Sequence, residues 1–328
     1  MHRAFQTILV AGSLLVPAVT GAAAAASADT YPSRPLRLVS PFSPGGGNDF
    51  VSRTLAAALT KDLGQTVVVD NRPGANTIIG MELVAKSPPD GYTLVTSSST
   101  QAVNATLYPK LPYDSIRSFS TVALVGSSPL IVAVPAASPI NNIAGLVAAA
   151  KAKPGELTYP SAGTGNSTHL AGELFAAMAG VTLLHVPYKG SAPGITDLIA
   201  GRHAVVFSPS ASVMPHVQSG RLRALATSGA KRFSPIPQLP TVAESGVPGY
   251  EASTWYGVVG PAGIPRPIVV RLNAAIGKAT GSPEVRDRLV TQGIEPIQAT
   301  ADEFSAYLKS EVGKWAKILR MAGVKPEA

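Results

Sequence analysis

Short apolar runs typical of β-strands alternate with helical patterns along almost the whole chain, and no other feature constrains the fold as strongly. In the first helical pattern Val51, Leu55, Leu59 and Leu63 recur every four residues and mark one buried stripe. Strands that alternate with helices predict α/β layers with mostly parallel sheets. We expect strands at 36–39, 67–69, 93–96, 122–125, 130–134, 157–159, 205–207, 222–226 and 255–260. We expect helices at 50–63, 76–86, 143–152, 167–179, 192–200, 268–279 and 300–321.

The first 28 residues have the pattern of a secretory signal peptide. Arg3 supplies a positive start, residues 4–19 are largely apolar, and Ala26-Ser27-Ala28 is an A-x-A cleavage site. We therefore expect a mature chain that begins near Asp29 and is soluble in a bacterial periplasm. Because the sequence has no cysteine, it has neither a disulfide framework nor a lipoprotein anchor.

The remaining 300 residues are enough for two domains of ordinary size. Short runs near residues 122–134 and 250–260 are placed to carry the chain between two lobes twice. We predict a discontinuous lobe 1 of residues 29–125 and 250–328, and a lobe 2 of residues 126–249. Two crossings make a hinge, and the cleft between lobes is a common ligand site.

The formal net charge of +8 raises the question of a nucleic-acid partner. The Lys and Arg residues are scattered, with no run longer than Lys231-Arg232 and no interleaved aromatic residues. This pattern favours a solvated basic surface that speeds the encounter with small anions, and we expect no nucleic-acid binding.

Two glycine-rich stretches follow strand-like runs and open helical patterns. They are residues 43–49 and residues 161–169, here called the first and second glycine loops. Helix N-termini leave backbone N–H groups unpaired and carry partial positive charge, and glycine lets a ligand approach the backbone closely. Two such loops predict two lobes that close on one small anion.

Several residues of these loops have more than one interpretation. Asp49 either caps its own helix or shapes the loop and holds water, since a free carboxylate would repel an anion. His169 either donates to a ligand or braces its loop. A polar cluster at residues 96–101 follows a strand, where α/β proteins bind ligands, and Tyr188 is placed to cover a ligand.

The residues give little support for catalysis. The five histidines form no H-E-x-x-H pair and there is no cysteine, so we expect no transition-metal site. The sequence contains no Walker A motif, and residues 163–168 fail as a dinucleotide fingerprint, so we expect no cofactor. A serine hydrolase that uses Ser167 and His169 stays as the minor alternative, because residues 165–169 miss the G-x-S-x-G elbow at its last position.

Ordered motifs along the whole mature chain resemble the Bug (TctC-like) periplasmic solute-binding proteins of tripartite tricarboxylate transporters. The motifs are residues 31–37, 41–49, 69–75, 107–114, 161–170, 186–190 and 239–244. The resemblance implies a two-lobed type II (Venus flytrap) α/β fold, a central ligand cleft, no catalytic activity and a monomer. It also implies a small carboxylate ligand, held by main-chain amides, hydroxyls and bridging waters, and a membrane permease or a sensor receptor as partner.

Together, the residues and the resemblance predict one set of ligand-binding residues. These are Phe42, Gly45, Gly46, Gly47, Asn48, Asp49, Ser97, Ser99, Thr100, Gln101, Gly163, Thr164, Gly165, Asn166, Ser167, His169, Tyr188 and Ser208. Gln101 stands where many relatives have His, and Ser208 where many have Asp. Without that acid the cleft is less favourable to an ammonium group, so we hypothesise an amine-free mono- or dicarboxylate or an aromatic acid.

Overall fold

Strands and helices alternate in the computed structural model, which describes residues 31–233, 235–321 and 324. The predicted signal peptide lies outside these residues. The first elements are β1 (Leu36–Ser40), α1 (Gly47–Leu63), β2 (Val67–Asn71), α2 (Ile78–Ala85), β3 (Thr93–Ser98), α3 (Ser99–Leu107), β4 (Phe119–Pro135), α4 (Ile143–Ala152), β5 (Thr158–Ser161) and α5 (Ser167–Ala179). They are followed by β6 (Leu184–Pro187), α6 (Ser191–Ile199), β7 (Val206–Pro209), α7 (Ser210–Gln218), β8 (Leu222–Thr227), β9 (Ser253–Pro261), α8 (Arg266–Gly281), α9 (Pro283–Thr291), β10 (Glu295–Pro296) and α10 (Ala301–Met321).

The long strand β4 joins the two halves of the fold. Residues 119–129 pair with β9, and residues 130–135 pair with β7 and β8. The two strands predicted at 122–125 and 130–134 are therefore one strand of 17 residues. The chain has the expected two-lobed α/β fold, and the lobe boundaries that we propose from the sequence fall within β4 and just before β9.

The prediction of mostly parallel sheets is wrong. The pairs β1–β2, β1–β3 and β5–β6 are parallel, whereas β3 pairs with β9 in antiparallel orientation. Every pairing of β4, with β7, β8, β9 and β10, is antiparallel too. The reason is that β4 carries the chain out and β9 carries it back beside β4. In the described residues the large sheet has the order β10-β4-β9-β3-β1-β2.

The sequence patterns did not predict every element of the structure. The polar cluster at 96–101 is the end of β3 and the first turn of α3, which the hydroxyl-rich sequence did not predict. Helix α7 contains Pro215, which normally argues against a helix. The predicted start of α10 is confirmed, because Thr300 and Glu303 form a capping box in which Glu303 N donates to Thr300 Oγ1 at 3.2 Å.

Helix α10 is fixed to the strand β9 by a buried carboxylate. Glu311 is 4% exposed, and its Oε2 accepts hydrogen bonds from Trp255 Nε1 at 3.1 Å and Trp315 Nε1 at 2.9 Å. The same helix packs against α3 and α5. In the part of the chain that the structure covers, no helix has both the length and the apolar character needed to span a bilayer.

Candidate functional site

Five helices begin at one cavity between the two glycine loops. The cavity encloses about 530 Å³ of empty space, part of it open to solvent. The N-cap residues of α1, α3, α5, α6 and α7 all line it; these are Gly46, Ser98, Asn166, Gly190 and Pro209. Each helix follows a strand of an α/β fold, so its N-terminus lies at the strand's carboxyl end, where such folds bind ligands. The arrangement concentrates the positive ends of five helices at one place.

Most of these helix starts are not capped by their own side chains. Asn166 Oδ1 accepts from Thr168 N at 3.0 Å and caps α5. The N-cap residues Gly46, Ser98, Gly190 and Pro209 give no side-chain hydrogen bond to their helices. The first N–H groups of a helix have no partner within it, so these donors can bind a ligand.

We call this cavity the first cavity. Among the described residues, no charged side chain lines it. Phe42, Tyr256 and three prolines provide apolar surface, and the hydroxyls of serine and threonine supply polar groups. The complete lining is Phe42, Ser43, Pro44, Gly46, Gly47, Asn48, Ser98, Ala162, Asn166, Ser167, Thr168, Gly190, Ser191, Ala192, Pro193, Pro209, Thr254 and Tyr256. The site can therefore hold an anion by backbone dipoles and hydroxyls, with no ion pair.

The first glycine loop is held from behind by Asp49, which does not line the cavity. Its carboxylate accepts from Gly45 N at 3.1 Å, Arg53 Nε at 3.0 Å and Asn71 Nδ2 at 2.8 Å. Burial alone would raise the pKa of Asp49, and these hydrogen bonds outweigh it and keep the pKa below the usual value. Asp49 thus stays ionised and shapes the loop, while Gly45 supplies the backbone with φ of +89° that the turn requires.

Asn48 combines a place in the cavity wall with a fixed side chain. Its Nδ2 donates to Thr96 O at 2.9 Å, and its Oδ1 accepts from Ser40 Oγ at 3.1 Å. Both ends of the amide are therefore used to tie α1 to the sheet.

The hydroxyl cluster lies mostly beneath the cavity. Ser97 Oγ donates to Gln101 Oε1, and Gln101 Nε2 donates to Ser115 O at 2.7 Å. Ser99 and Thr254 share a hydroxyl hydrogen bond of 3.0 Å. Of this segment, Ser98 lines the cavity, while Ser97, Ser99, Thr100 and Gln101 do not.

The second glycine loop divides between two cavities. Asn166 and Ser167 line the first cavity, and Gly163 and Thr164 line a neighbouring one. Gly165 N donates to His169 Nδ1 at 2.9 Å, which supports the bracing interpretation of His169. Burial, together with the nearby His185, lowers the pKa of His169 to about 3, so the ring is neutral and accepts this hydrogen bond.

Each glycine loop donates one side-chain hydrogen bond to a segment in the opposite half of the fold. Asn166 Nδ2 donates to Thr100 Oγ1 at 3.0 Å. Ser43 Oγ donates to Lys189 O at 2.8 Å. The walls of the site are thereby held close together in this structure.

Tyr188 and Ser208 lie outside the first cavity. The Tyr188 hydroxyl donates to Asp197 Oδ2 at 2.6 Å and lies 2.9 Å from His203 Nε2, so it is occupied within its own half of the fold. Ser208 is 1% exposed, and its hydroxyl has no hydrogen-bond partner among the described residues. It lines a narrow gap, too small for a water molecule, together with Ser161 and Thr168.

The structure brings six of the predicted site residues into the wall of the first cavity: Phe42, Gly46, Gly47, Asn48, Asn166 and Ser167. The sequence analysis missed residues 190–193, Ser98, Pro209, Thr254 and Tyr256. Gly190 lies just before the helix predicted at 192–200, so this signal was available in the sequence, whereas the helix after Pro209 was not predicted and contains Pro215. Among the described residues no group of His, Cys, Asp or Glu is arranged to hold a metal ion.

Comparisons with known proteins show one matching family model and several similar solved structures. The family model described as tripartite tricarboxylate transporter family receptor (TctC) matches residues 51–324. The solved structure of the periplasmic binding protein BugD has a TM-score of 0.86 at 33% identity, covering 90% of this chain and 100% of BugD.

Two similar structures were solved with dicarboxylates. Rpa4515 of Rhodopseudomonas palustris, solved with adipate, has a TM-score of 0.88 at 36% identity. The match covers 90% of this chain and 100% of Rpa4515. MatC of the same species, solved with bound malate, has a TM-score of 0.83 at 28% identity. The match covers 88% of this chain and 100% of MatC.

Proposed function

Since the chain belongs to the tripartite tricarboxylate transporter receptor (TctC) family, we propose that it captures a small carboxylate between its two lobes and delivers it to the permease of such a transporter. The relatives are periplasmic binding proteins, and the leader-like first 28 residues support the same location for this chain. We further propose that it works as a monomer, which light scattering on the purified protein tests directly.

One observation carries this proposal: five helix N-termini converge on a cavity whose described lining has no charged side chain. Unpaired N–H groups at helix starts stabilise an anion without the desolvation cost of a buried Lys or Arg. A carboxylate has two oxygens that accept several such hydrogen bonds. The adipate and malate held by two similar proteins support this ligand class.

The same lining supports an amine-free ligand. An ammonium group in the first cavity would need an acceptor of matching charge, and no carboxylate lines it among the described residues. The nearby Asp49 faces Arg53, Asn71 and Gly45 instead. The apolar surface of Phe42 and Tyr256 suits an aliphatic or aromatic acid.

The alternative of a serine hydrolase receives no support from the geometry. The Nδ1 of His169 accepts from Gly165 N, and its Nε2 lies 3.8 Å from Glu173 Oε1. The Ser167 hydroxyl donates to Asn166 Oδ1 at 3.4 Å. Neither side chain is paired with the other in the way that nucleophile activation requires.

Isothermal titration calorimetry of the mature chain tests the ligand class. We expect at least one of adipate, malate and benzoate to bind. We also expect aspartate to bind more weakly than succinate, and glutamate more weakly than glutarate. Tighter binding of the amino acids would refute the amine-free proposal, and no heat with any carboxylate would refute carboxylate capture. Hydrolysis of model esters that is lost in Ser167→Ala would favour the enzyme.

A separate experiment distinguishes transport from sensing. Deletion of the gene should abolish uptake of the radiolabelled ligand by cells if the protein serves a permease. Intact uptake with a lost transcriptional response to the ligand would favour a membrane sensor as the partner.

A further inference from the structure

One face of α3 and the turn that precedes α2 meet the second glycine loop from the opposite half of the fold. We infer that this contact surface positions the loop when the two lobes close, and that it requires glycine at position 165. The inference rests on the proposed function, because it concerns how the first cavity closes around its ligand. The surface, here the α3 surface, consists of Asn76, Thr100, Asn104 and Leu107.

Three residues of the α3 surface lie on a single face of the helix. Thr100, Asn104 and Leu107 are spaced by four and three residues, which places side chains next to one another on a helix. Each is at most 1% exposed, and none lines the first cavity. Because they are buried without lining that cavity, these side chains pack against protein and not against a ligand.

Thr100 holds the start of α5. Its Oγ1 accepts a hydrogen bond from Asn166 Nδ2 at 3.0 Å, and Asn166 Oδ1 caps α5 by accepting from Thr168 N at 3.0 Å. Asn166 also lines the first cavity. One side-chain amide thus connects α3 in one half of the fold to the helix start that faces the ligand from the other half.

Leu107 occupies the place where any other residue at position 165 would have its side chain. A Cβ built on Gly165 would overlap Leu107 Cδ2, and it would lie 3.2 Å from Asn76 Nδ2. Gly165 lines neither the first cavity nor the neighbouring one. The close approach of this loop to the α3 surface therefore requires a residue without a side chain, in addition to the φ of +72° that also favours glycine.

The turn at residues 75–77 presents Asn76 to the loop at a fixed place. Its three residues have φ of +43°, +48° and +76°, although none is glycine. Helix α3 fixes the turn, because Asn76 Nδ2 donates to Asn104 Oδ1 at 2.8 Å and Asn104 Nδ2 donates to Asn76 O at 2.9 Å. Such a backbone persists where the surrounding structure determines it, so the turn is a rigid part of the α3 surface.

Gly165→Ala tests the contact with Leu107, by calorimetry with adipate and by small-angle X-ray scattering of the mature chain. The added methyl group meets Leu107 when the lobes close, so adipate should bind about tenfold more weakly. The scattering profile with saturating adipate should indicate a larger radius of gyration than that of this structure. In a Leu107→Ala background the same change should weaken binding less than about threefold, because the overlapping atoms are gone.

Gly180→Ala is the matched control for backbone strain. Gly180 ends α5 with a similar φ of +62°, and no atom lies within 4 Å of a Cβ built on it. The variant should lower the free energy of unfolding and leave the adipate affinity and the scattering profile unchanged. An equal loss of affinity in Gly165→Ala and Gly180→Ala would overturn the inference, since strain alone would then explain both.

Thr100→Val tests the α3 surface without added volume. It leaves Asn166 Nδ2 buried without an acceptor when the lobes close, but hydrated when they are apart, so adipate should bind at least about fivefold more weakly. Thr54→Val is the matched control, because Thr54 is also 1% exposed and its hydroxyl has no hydrogen-bond partner among the described residues. It should leave the affinity unchanged.

The outcomes separate this inference from the proposed function. Unchanged adipate affinity in both Gly165→Ala and Thr100→Val would overturn the α3 surface and leave carboxylate capture intact. If the wild type binds none of adipate, malate and benzoate, the scattering of the ligand-free chains decides. A wild-type profile that matches this structure, with a more expanded Gly165→Ala, would support the α3 surface, whereas equal profiles would overturn it.

Discussion

The imidazole rings of His169 and His185 stack beneath the second glycine loop, with their centroids 3.8 Å apart and their planes at 24°. Tyr159 and Glu173 face the same pair: the Tyr159 ring lies 5.2 Å from that of His185, and Glu173 Oε1 lies 3.8 Å from His169 Nε2. Burial lowers the pKa of His169 to about 3 and that of His185 to about 4. Two neutral rings can stack at this distance, whereas two charged ones would repel each other.

This pair predicts a loss of stability in acid. The unfolded chain takes up protons at each histidine near pH 6.5, while the folded chain takes them up only near pH 3 to 4. The unfolding free energy therefore decreases as the pH is lowered from about 6.5 towards 3 to 4. At pH 5 the buried His169 should reduce it by about 2 kcal/mol relative to pH 7, and the more exposed His185 should reduce it by less. Urea unfolding of the wild type and of His169→Gln measures this. An equally steep pH dependence in the variant would contradict the assignment.

Gly46 should be a probe of the cavity that leaves the fold intact. Its φ of −90° is accessible to any residue, and a Cβ built on it meets no atom within 4 Å. Gly46→Val should therefore place its side chain in the ligand's space and weaken carboxylate binding at least about tenfold, because it blocks close approach to the N–H groups of α1. The melting temperature of the ligand-free protein should stay within a few degrees.

The control for Gly46 is another glycine with free space around it. Gly313 lies in α10 and also has no atom within 4 Å of a built Cβ. Gly313→Ala should leave binding unchanged and stabilise the helix slightly. An unaltered affinity in Gly46→Val would remove the first glycine loop from the site.

Gly47 should respond differently, because the Tyr256 hydroxyl occupies the place of a Cβ there. Gly47→Ala should displace the Tyr256 ring, destabilise the fold by about 1–3 kcal/mol and weaken ligand binding. Addition of Tyr256→Phe should restore part of the stability, since the closest atom is then gone. A double-mutant cycle by chemical denaturation tests this, and additive losses would show that the two residues do not interact.

Glu311 should matter for stability far more than for binding. Glu311→Ala leaves the indole N–H groups of Trp255 and Trp315 without their buried acceptor, at a cost of about 2 kcal/mol or more. Glu311→Gln keeps a carbonyl acceptor and should cost less. Glu284→Ala, at a 70% exposed side chain, should stay within about 0.5 kcal/mol of wild type. Tryptophan fluorescence during urea unfolding reports all three variants.

The sequence predicted the alternation of strands and helices because the apolar periodicities are local. It did not predict that residues 122–134 form one strand, because the run Gly126–Pro129 has the composition of a turn. Pairing with β9 overrides that local preference, since Ser127 and Ser128 are matched to Trp255 and Thr254 across the ladder.

Within the hydroxyl cluster, residue type alone did not identify the lining residue. Successive side chains of a strand point to opposite faces, so Ser97 and Ser98 cannot both face the cavity. Ser98 lines it, and Ser97 bonds to Gln101. A shift of one residue would exchange their roles, and only the register of β3 against β9 decides it. The glycine loops were easier to identify, because in each loop the glycines lie next to the start of the helix in the sequence.

An anion site built from main-chain groups resists mutation in a way that a lysine or arginine site does not. Apart from a change to proline, no single substitution removes a backbone N–H group from the helix starts that line the first cavity. Substitutions at Phe42, Thr254 or Ser191 can then change the size and shape of the accepted acid while the grip on its carboxylate is retained. A gene that duplicates and diverges from this starting point keeps a working receptor at each step as its ligand changes.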